Sequence, residues 1–298
     1  MATRMFNQLG IIGCGLMGGS FALALKRAGL VGRVVGYSKS PSTVERARRL
    51  GVIDLAAESA LLAVSGSDIV LIAVPVAASE ATFRAIKHLV DPGVLFMDVG
   101  STKADVVTAA KKVLKARAAS FVPAHPIAGK EQSGVEHADG ALFVGRQVIL
   151  TPDAGTDPAL VQRATDVWAA IGAQVLMMSP HNHDAAFAAV SHLPHLIAYA
   201  YMQAVLAQPG GNEFLSLAGP GFRDFTRIAA SDPKVWRDIL LTNREDILRQ
   251  TAQFKAALEH FETLVREQRG EALEAAIREV SGARGQWSLD TIKWPSTR

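Results

Sequence analysis

The sequence predicts an α/β domain built on a parallel sheet, followed by an all-helical domain. Three observations predict it. Near the start, a short apolar run breaks at a glycine-rich turn and a helical pattern follows at once. Short apolar runs and helical patterns then alternate as far as residue 178. From Ser179 onward only helical patterns remain, punctuated by proline and glycine. Such alternation implies right-handed crossovers and parallel strands covered on both faces. The expected limits are 1–178 for the α/β domain, 179–285 for the helical domain and 286–298 for a tail, which Trp287 and Trp294 would dock.

The first strand is 9–12. It runs into Gly13, Cys14, Gly15, Leu16, Met17 and Gly18, the spacing G-x-G-x-x-G, and a helix carrying Phe21, Leu23, Ala24 and Leu25 follows. Gly13 permits the tight turn, Gly15 lets a pyrophosphate approach the backbone, and Gly18 lets helix and strand pack closely. The helix start offers N–H groups and a positive dipole end to phosphates. A dinucleotide-binding (Rossmann-type) domain is therefore expected. Cys14 reads as a small residue that fits the turn.

The second strand, 33–37, ends at Ser38, Lys39 and Ser40. An acid at this place would bond the ribose 2′-hydroxyl of NAD and repel a 2′-phosphate. Two hydroxyls and an ammonium would hold that phosphate. NADP is the expected cofactor, preferred or at least accepted, with NAD possible through other contacts. A helix over 43–50, capped by Ser42, leads to an apolar strand over 68–75, whose Val74 and Pro75 fall where the cofactor passes. A helix over 77–90 and a strand over 94–98 follow. That strand ends in Val99, Gly100, Ser101, Thr102 and Lys103, before a helix over 104–115. The strand 120–125 runs into Pro126, Ile127, Ala128, Gly129, Lys130 and Glu131. A strand over 147–151, a helix from Pro158 to about 171 and a strand over 173–178 complete the domain. Ligands lie beyond the carboxyl ends of parallel strands, and the glycine turn, Ser38, Pro75, Ser101 and His125 all fall there.

Ser179 and Pro180 read as an N-cap and first helical residue. Helices are expected over 180–190, 193–207, 212–217, 233–265 and 271–280. Leu196, Tyr199, Ala200, Met202, Gln203 and Leu206 give the second of these a broad apolar surface, so a homodimer through the helical domain is expected. His181 and His183 stand at metal-like spacing, but no further ligand set supports a site. They read as the polar first turn of a helix, and no metal is expected.

Bulk properties narrow the class. The 298 residues are 49% hydrophobic and 20% charged, with a formal charge of +3 scattered along the chain. That describes a globular protein with no nucleic-acid or membrane surface. The single cysteine suits a reducing compartment, no signal peptide is visible, and no apolar run approaches the ~20 residues that cross a bilayer. A cytoplasmic enzyme acting on a small molecule is expected. For chemistry, His125 projects from a strand end, Ser101 sits in the neighbouring turn, Ser191, His192 and His195 mark a break between helices, and Arg223 and Arg227 follow the turn 219–221. Histidine suits a base that takes a hydroxyl proton as hydride departs. Arginine suits a carboxylate clamp.

These residues carry a resemblance. The segments Gly13 to Ser20, Asp98 to Lys103, His125-Pro126-Ile127-Ala128-Gly129, Ser191-His192-Leu193-Pro194-His195, and Gly221 to Ala229 followed by Asp232 to Trp236 resemble the prephenate/arogenate (cyclohexadienyl) dehydrogenases of tyrosine biosynthesis, the TyrA family, over nearly the whole chain. The resemblance implies a Rossmann domain with a helical dimerisation domain, and NAD(P)-dependent oxidative decarboxylation of prephenate, arogenate or both. It implies that His125 assists deprotonation of the ring hydroxyl and that Ser101 bonds that histidine or the hydroxyl. It further implies that His192 shapes the substrate pocket, that Arg227 binds a substrate carboxylate, and that Asp224 and Trp236 support that arginine and a dimer-spanning pocket. Lys130 and Glu131 fall near the substrate side chain. Two alternatives are a 3-hydroxyacid or 6-phosphogluconate-type dehydrogenase, for which no catalytic-lysine motif stands around Lys234 or Lys255, and a non-catalytic NADP-sensing module, which would need neither His125 nor Arg227.

Overall fold

A computed structural model describes residues 4–130 and 132–288. β1 (Phe6–Ile12), α1 (Leu16–Arg27), β2 (Val31–Tyr37), α2 (Pro41–Arg49), β3 (Leu55–Ala56), α3 (Ala60–Val64), β4 (Ile69–Ile72), α4 (Ser79–Ile86), β5 (Leu95–Asp98), α5 (Ala104–Leu114) and β6 (Phe121–Val122) come first in the chain. Their strands form a six-stranded sheet in the order β3-β2-β1-β4-β5-β6, parallel throughout. The chain starts in the middle of the sheet and builds outward in both directions, so a crevice opens beyond the carboxyl ends of β1 and β4. Period-2 alternation sorts the buried side chains onto two faces. Ile69 and Leu71 join the cluster holding Phe21 and Leu25 of α1. Val70 and Ile72 join the cluster holding Phe83 and Ile86 of α4. Every residue of β4 and β5 is buried, as two covered faces require.

The parallel arrangement does not continue through the second half of this region, as had been expected. Pro123 lacks a backbone N–H to keep a ladder going, and it splits the expected strand 120–125 into β6 and β7 (Ala124–Pro126). β7 belongs to a separate three-stranded sheet with β8 (Gln147–Leu150) and β9 (Gln174–Met177), reached through α6 (Pro158–Ala170). β7 runs antiparallel to β8, which is parallel to β9. β3 and α3 were also unanticipated, being too short to show periodicity. α2 begins at Pro41, so Ser42 is not its cap; the Ser42 hydroxyl bonds the Ser40 hydroxyl at 2.9 Å.

α7 (Pro180–Phe187) starts as expected, with Ser179 Oγ accepting the Asn182 N–H at 3.1 Å. α8 (Leu193–Leu206), α9 (Gly211–Ser216), α10 (Pro220–Thr226), α11 (Pro233–Thr242), α12 (Arg244–Arg266) and α13 (Gly270–Gln286) follow. The segment after Gly219 is thus a helix with Pro220 in its first turn, not an open glycine turn. The single helix expected over 233–265 breaks at Asn243, whose side chain donates to the Asp184 carbonyl at 2.8 Å. α13 extends past residue 285, and the tail beyond Ser288, with Trp294, lies outside the described residues.

Two compact units emerge. One holds the chain as far as Ala186 together with Ala230–Asn243, and the other holds Phe187–Ala229 and the chain from Arg244 onward. The first unit therefore takes most of α7 and all of α11 along with both sheets. α11 lies against the turn Val76–Ala78 that follows β4. Among the described residues no helix is long and apolar enough to cross a membrane.

Candidate active site

At the end of β1 the glycine turn has the shape a dinucleotide needs. Gly13 sits at φ 103°, and a Cβ there would stand 2.2 Å from the Ala73 carbonyl oxygen. A Cβ on Gly18 would meet the Gly13 carbonyl oxygen at 2.1 Å. At Gly15 a Cβ would meet nothing within 4 Å, so the backbone is bare on that side. Gly15 is the N-cap of α1 and supplies no side-chain cap, which leaves the first-turn N–H groups around Leu16 and Met17 for an anion. Val74 and Pro75 follow β4 directly, next to this turn. Cys14 is buried, and that burial pushes its thiol up to about 11, so it is inert.

Ser38 also makes a contact inside the turn. Its Oγ accepts the Cys14 N–H at 2.8 Å and braces the glycine turn. Lys39 and Ser40 are exposed beyond it.

The second feature lies at the edge of the two sheets. Asp98 ends β5 and reaches across to the strand bearing His125. Its Oδ1 accepts the Ala124 N–H at 3.1 Å, and its Oδ2 accepts the Gly100 N–H at 2.9 Å. Lys103 is fully buried, with Nζ 2.5 Å from Asp98 Oδ2 and 2.8 Å from the Ala124 carbonyl oxygen. Burial holds the Lys103 ammonium below its usual range, opposed by Asp98 and Asp184. Both backbone groups of Ala124 are thus clamped by a buried ion pair, and His125 is fixed immediately after them. Ser101 lies in the loop this pair closes, half-buried.

His125 is half-buried, and its Nδ1 lies 2.8 Å from His183 Nε2. His183 Nδ1 lies 2.7 Å from Asp184 Oδ1. Asp184 accepts the backbone N–H groups of Lys103 and Ala104, both at 2.8 Å, and so caps α5. His183 lies in the first turn of α7, as expected, but it has no exposed surface, whereas His181 is exposed. The turn is polar on one side only, and the other side faces Lys103 and His125. Burial holds His183 below the usual histidine range. Asp184 is held below the usual carboxylate range by hydrogen bonds from His183 and the two backbone N–H groups, against the opposing effect of burial. Among the described residues no group of three potential ligands could hold a metal ion.

Other expected substrate residues have protein partners. Lys130 Nζ lies 3.1 Å from Asp139 Oδ2 and 3.1 Å from the His137 carbonyl oxygen, tying its own loop. Glu131 lies outside the described residues. Trp236 is half-buried on α11, in the first unit.

In the second unit, a π-helical turn, Ala188–His192, precedes α8. Pro194 explains it, since proline cannot donate the helical hydrogen bond its position requires. His192 in this turn is buried. His195 is half-buried and donates Nδ1–H to the Ser191 carbonyl at 2.9 Å, which leaves Nε2 as acceptor. Burial first, then the positive charge of Arg227, hold His195 below the usual histidine range. Arg227 begins a 3-10 turn, Arg227–Ala230, directly after α10. Asp224 pairs with its neighbour Arg223 at 2.9 Å on the surface. His195, which sequence reasoning had passed over for His192, is the histidine that senses Arg227.

Comparison with known proteins identifies the family of both halves of the chain. The family model described as "Prephenate dehydrogenase, nucleotide-binding domain" matches residues 21–177, and "Prephenate dehydrogenase, dimerization domain" matches 179–279. The first match begins after the glycine turn, so the turn rests on its own geometry. The chain is 35% identical over 282 residues to a cyclohexadienyl dehydrogenase of Zymomonas mobilis, covering 94% of this chain and 96% of the relative. It is 36% identical over 280 residues to a prephenate dehydrogenase of Bacillus subtilis, covering 91% and 73%. Its fold matches the crystal structure of prephenate dehydrogenase from Aquifex aeolicus in complex with hydroxyphenyl propionate and NAD+, with a TM-score of 0.88 at 35% identity over 95% of this chain and 99% of that one.

Proposed function

The chain belongs to the prephenate dehydrogenase family, and from that premise we propose that it oxidatively decarboxylates prephenate, arogenate or both, with NAD(P) as acceptor, in tyrosine biosynthesis. The observation that carries this reading is His125, which directly follows Ala124, the residue whose backbone the Asp98–Lys103 pair clamps. A bound nicotinamide dinucleotide would supply the hydride acceptor. Gly13, Gly15, Leu16, Met17, Gly18, Val74 and Pro75 would hold it, because the bare backbone at Gly15 and the uncapped start of α1 suit its pyrophosphate.

His125 takes the ring-hydroxyl proton, and Ser101 orients that hydroxyl. The product of oxidation is a ring ketone vinylogous to the ring carboxylate, so the electron pair of the breaking C–CO2 bond passes through the ring double bonds to the ketone oxygen, which aromatises the ring and needs little chemical help. The protein's work is orientation and charge placement. Arg227 binds a substrate carboxylate, and its charge acts on His195 of the same unit. A homodimer formed through the helical domain is supported by the dimerization-domain match. It is also supported by large apolar side chains exposed on the second unit, among them Leu217, Phe225, Leu248 and Val265. A cytoplasmic location fits this reading.

The test is steady-state turnover of prephenate and of arogenate, each with NAD and with NADP. Turnover of at least one is expected; activity on neither, or only on a 3-hydroxyacid, overturns the reading.

For the cofactor we propose that NADP is preferred. Ser38 Oγ accepts the Cys14 N–H and keeps its O–H as a donor, so Ser38 and Ser40 would bond the 2′-phosphate and Lys39 would supply the charge. Lys39→Ala should raise KM for NADP by roughly 10–100-fold, as for loss of one charge-assisted hydrogen bond, and leave KM for NAD nearly unchanged. Equal effects on both cofactors would remove Lys39 from phosphate recognition.

A further inference from the structure

The three-group chain behind His125 has a direction. Asp184 Oδ1 accepts the Lys103 N–H and Oδ2 accepts the Ala104 N–H. A backbone N–H can only donate, so both oxygens are engaged as acceptors, as an ionised carboxylate requires. His183 Nδ1, 2.7 Å from Oδ1, must then carry a proton and donate it. His183 is fully buried, beside the ammonium of Lys103. A second proton on its ring would add a buried cation next to an existing one, so the ring stays neutral and Nε2 keeps its lone pair. Nε2 lies 2.8 Å from His125 Nδ1, which must therefore be the donor. Each link leaves one choice for the next.

We propose that Asp184 and His183 are positioning residues that lock His125 in the Nδ1–H tautomer and so keep its Nε2 as the lone pair that accepts the substrate proton. The proposal rests on the reading of His125 as the base. In that step the substrate O–H bond breaks and an Nε2–H bond forms, so His125 becomes an imidazolium. Its Nδ1–H then points through His183 toward the negative charge of Asp184, which stabilises the new cation without leaving the backbone donors that anchor it. The other charged groups facing the chain are Asp98 and Lys103, already paired with each other. The relay also explains why an acid is buried at the start of α7: one carboxylate caps α5, orients the base and links the helix to the strand of His125.

The direct test is tautomer-resolved nitrogen NMR of the full-length, histidine-labelled protein, with the His125 signals assigned by their loss in His125→Gln. The expected spectrum shows His125 Nδ1 protonated and Nε2 unprotonated at neutral pH. In Asp184→Asn the asparagine can turn its amide N–H toward His183, which reverses both tautomers. That variant should lower kcat by roughly 10–10³-fold, less than the ~10⁴ known when the carboxylate touches the base directly, with KM changed by less than about threefold. Because Asp184 also caps α5, a second pair leaves the cap intact. His183→Leu should lower kcat similarly, and His183→Gln, whose amide oxygen can accept the His125 Nδ1–H, should recover about tenfold of that loss. Loss of kcat with no change of tautomer, or equal loss in His183→Leu and His183→Gln, overturns the relay. The two readings separate cleanly. Turnover of prephenate or arogenate with the His125 proton on Nε2 would overturn the relay alone. An Nδ1–H spectrum in a protein that turns over neither acid would overturn the proposed function and leave the relay standing.

Discussion

His125→Asn should lower kcat by roughly 10²–10⁴-fold, the range for loss of a general base, while KM changes by less than about threefold. Asparagine keeps the size of the side chain and can still meet His183, so the buried chain behind it is little disturbed. It cannot take a proton, so the hydroxyl must give up its proton to water as oxidation proceeds. The clamp on Ala124 does not involve the His125 side chain, since Asp98 and Lys103 hold only the backbone N–H and carbonyl of Ala124. The variant should therefore fold, bind the dinucleotide as the parent does and melt within a few degrees of it. The measurement is initial rate by reduced-nicotinamide absorbance, with dinucleotide affinity measured separately by fluorescence. A variant that keeps normal kcat, or that loses dinucleotide binding in parallel, would show that His125 is not the base.

The strands around the cofactor end were legible because two-sided burial writes a continuous apolar run, as in Ile69-Val70-Leu71-Ile72, and because the glycine spacing has one geometric meaning after a strand. What escaped detection has particular causes. The antiparallel β7 could not be separated from β6, because the only mark of the break is Pro123 within an otherwise apolar stretch. The break at Asn243 rests on one side chain whose partner, the Asp184 carbonyl, is 59 positions away in sequence. The burial of His183 was missed for a related reason. Helical periodicity reports the balance of a turn, and His181, Asn182, His183 and Asp184 are polar as a group. Their burial differs because Lys103, a charge brought from α5, waits on one side. Two signals were available: a His-Asp dipeptide inside a helix, and a lysine five residues after Asp98 between glycine and an apolar helix. Either would have been stronger if read against the other. Ser38 has a partner that its neighbours in sequence do not reveal, the N–H of Cys14, 24 positions away. His192 and His195 lie three residues apart around Pro194, and the sequence does not tell that His192 is buried in a π-helical turn while the charge of Arg227 acts on His195.

Arg227→Ala should act mainly on KM. Loss of a charge-assisted contact with a carboxylate costs about 2–4 kcal/mol, which is roughly 30–1000-fold in affinity, with a smaller change in kcat. The assignment rests on placement: Arg227 starts a 3-10 turn at the end of α10, and its charge is felt by His195, whose Nε2 is an acceptor. The guanidinium presents donors in a planar fork that matches both oxygens of a carboxylate. Arg227→Lys keeps the charge and loses the fork, so it should fall between the parent and the alanine variant. Arg223 is the internal control. It is paired with Asp224 on the surface, both side chains being largely exposed at 75% and 67%, and such pairs contribute little. Arg223→Ala should leave KM nearly unchanged, and an Arg223→Ala, Arg227→Ala double variant should behave as Arg227→Ala alone. If Arg223→Ala raises KM while Arg227→Ala does not, the carboxylate belongs to Arg223, and the electrostatic link between Arg227 and His195 serves the fold of the second unit instead.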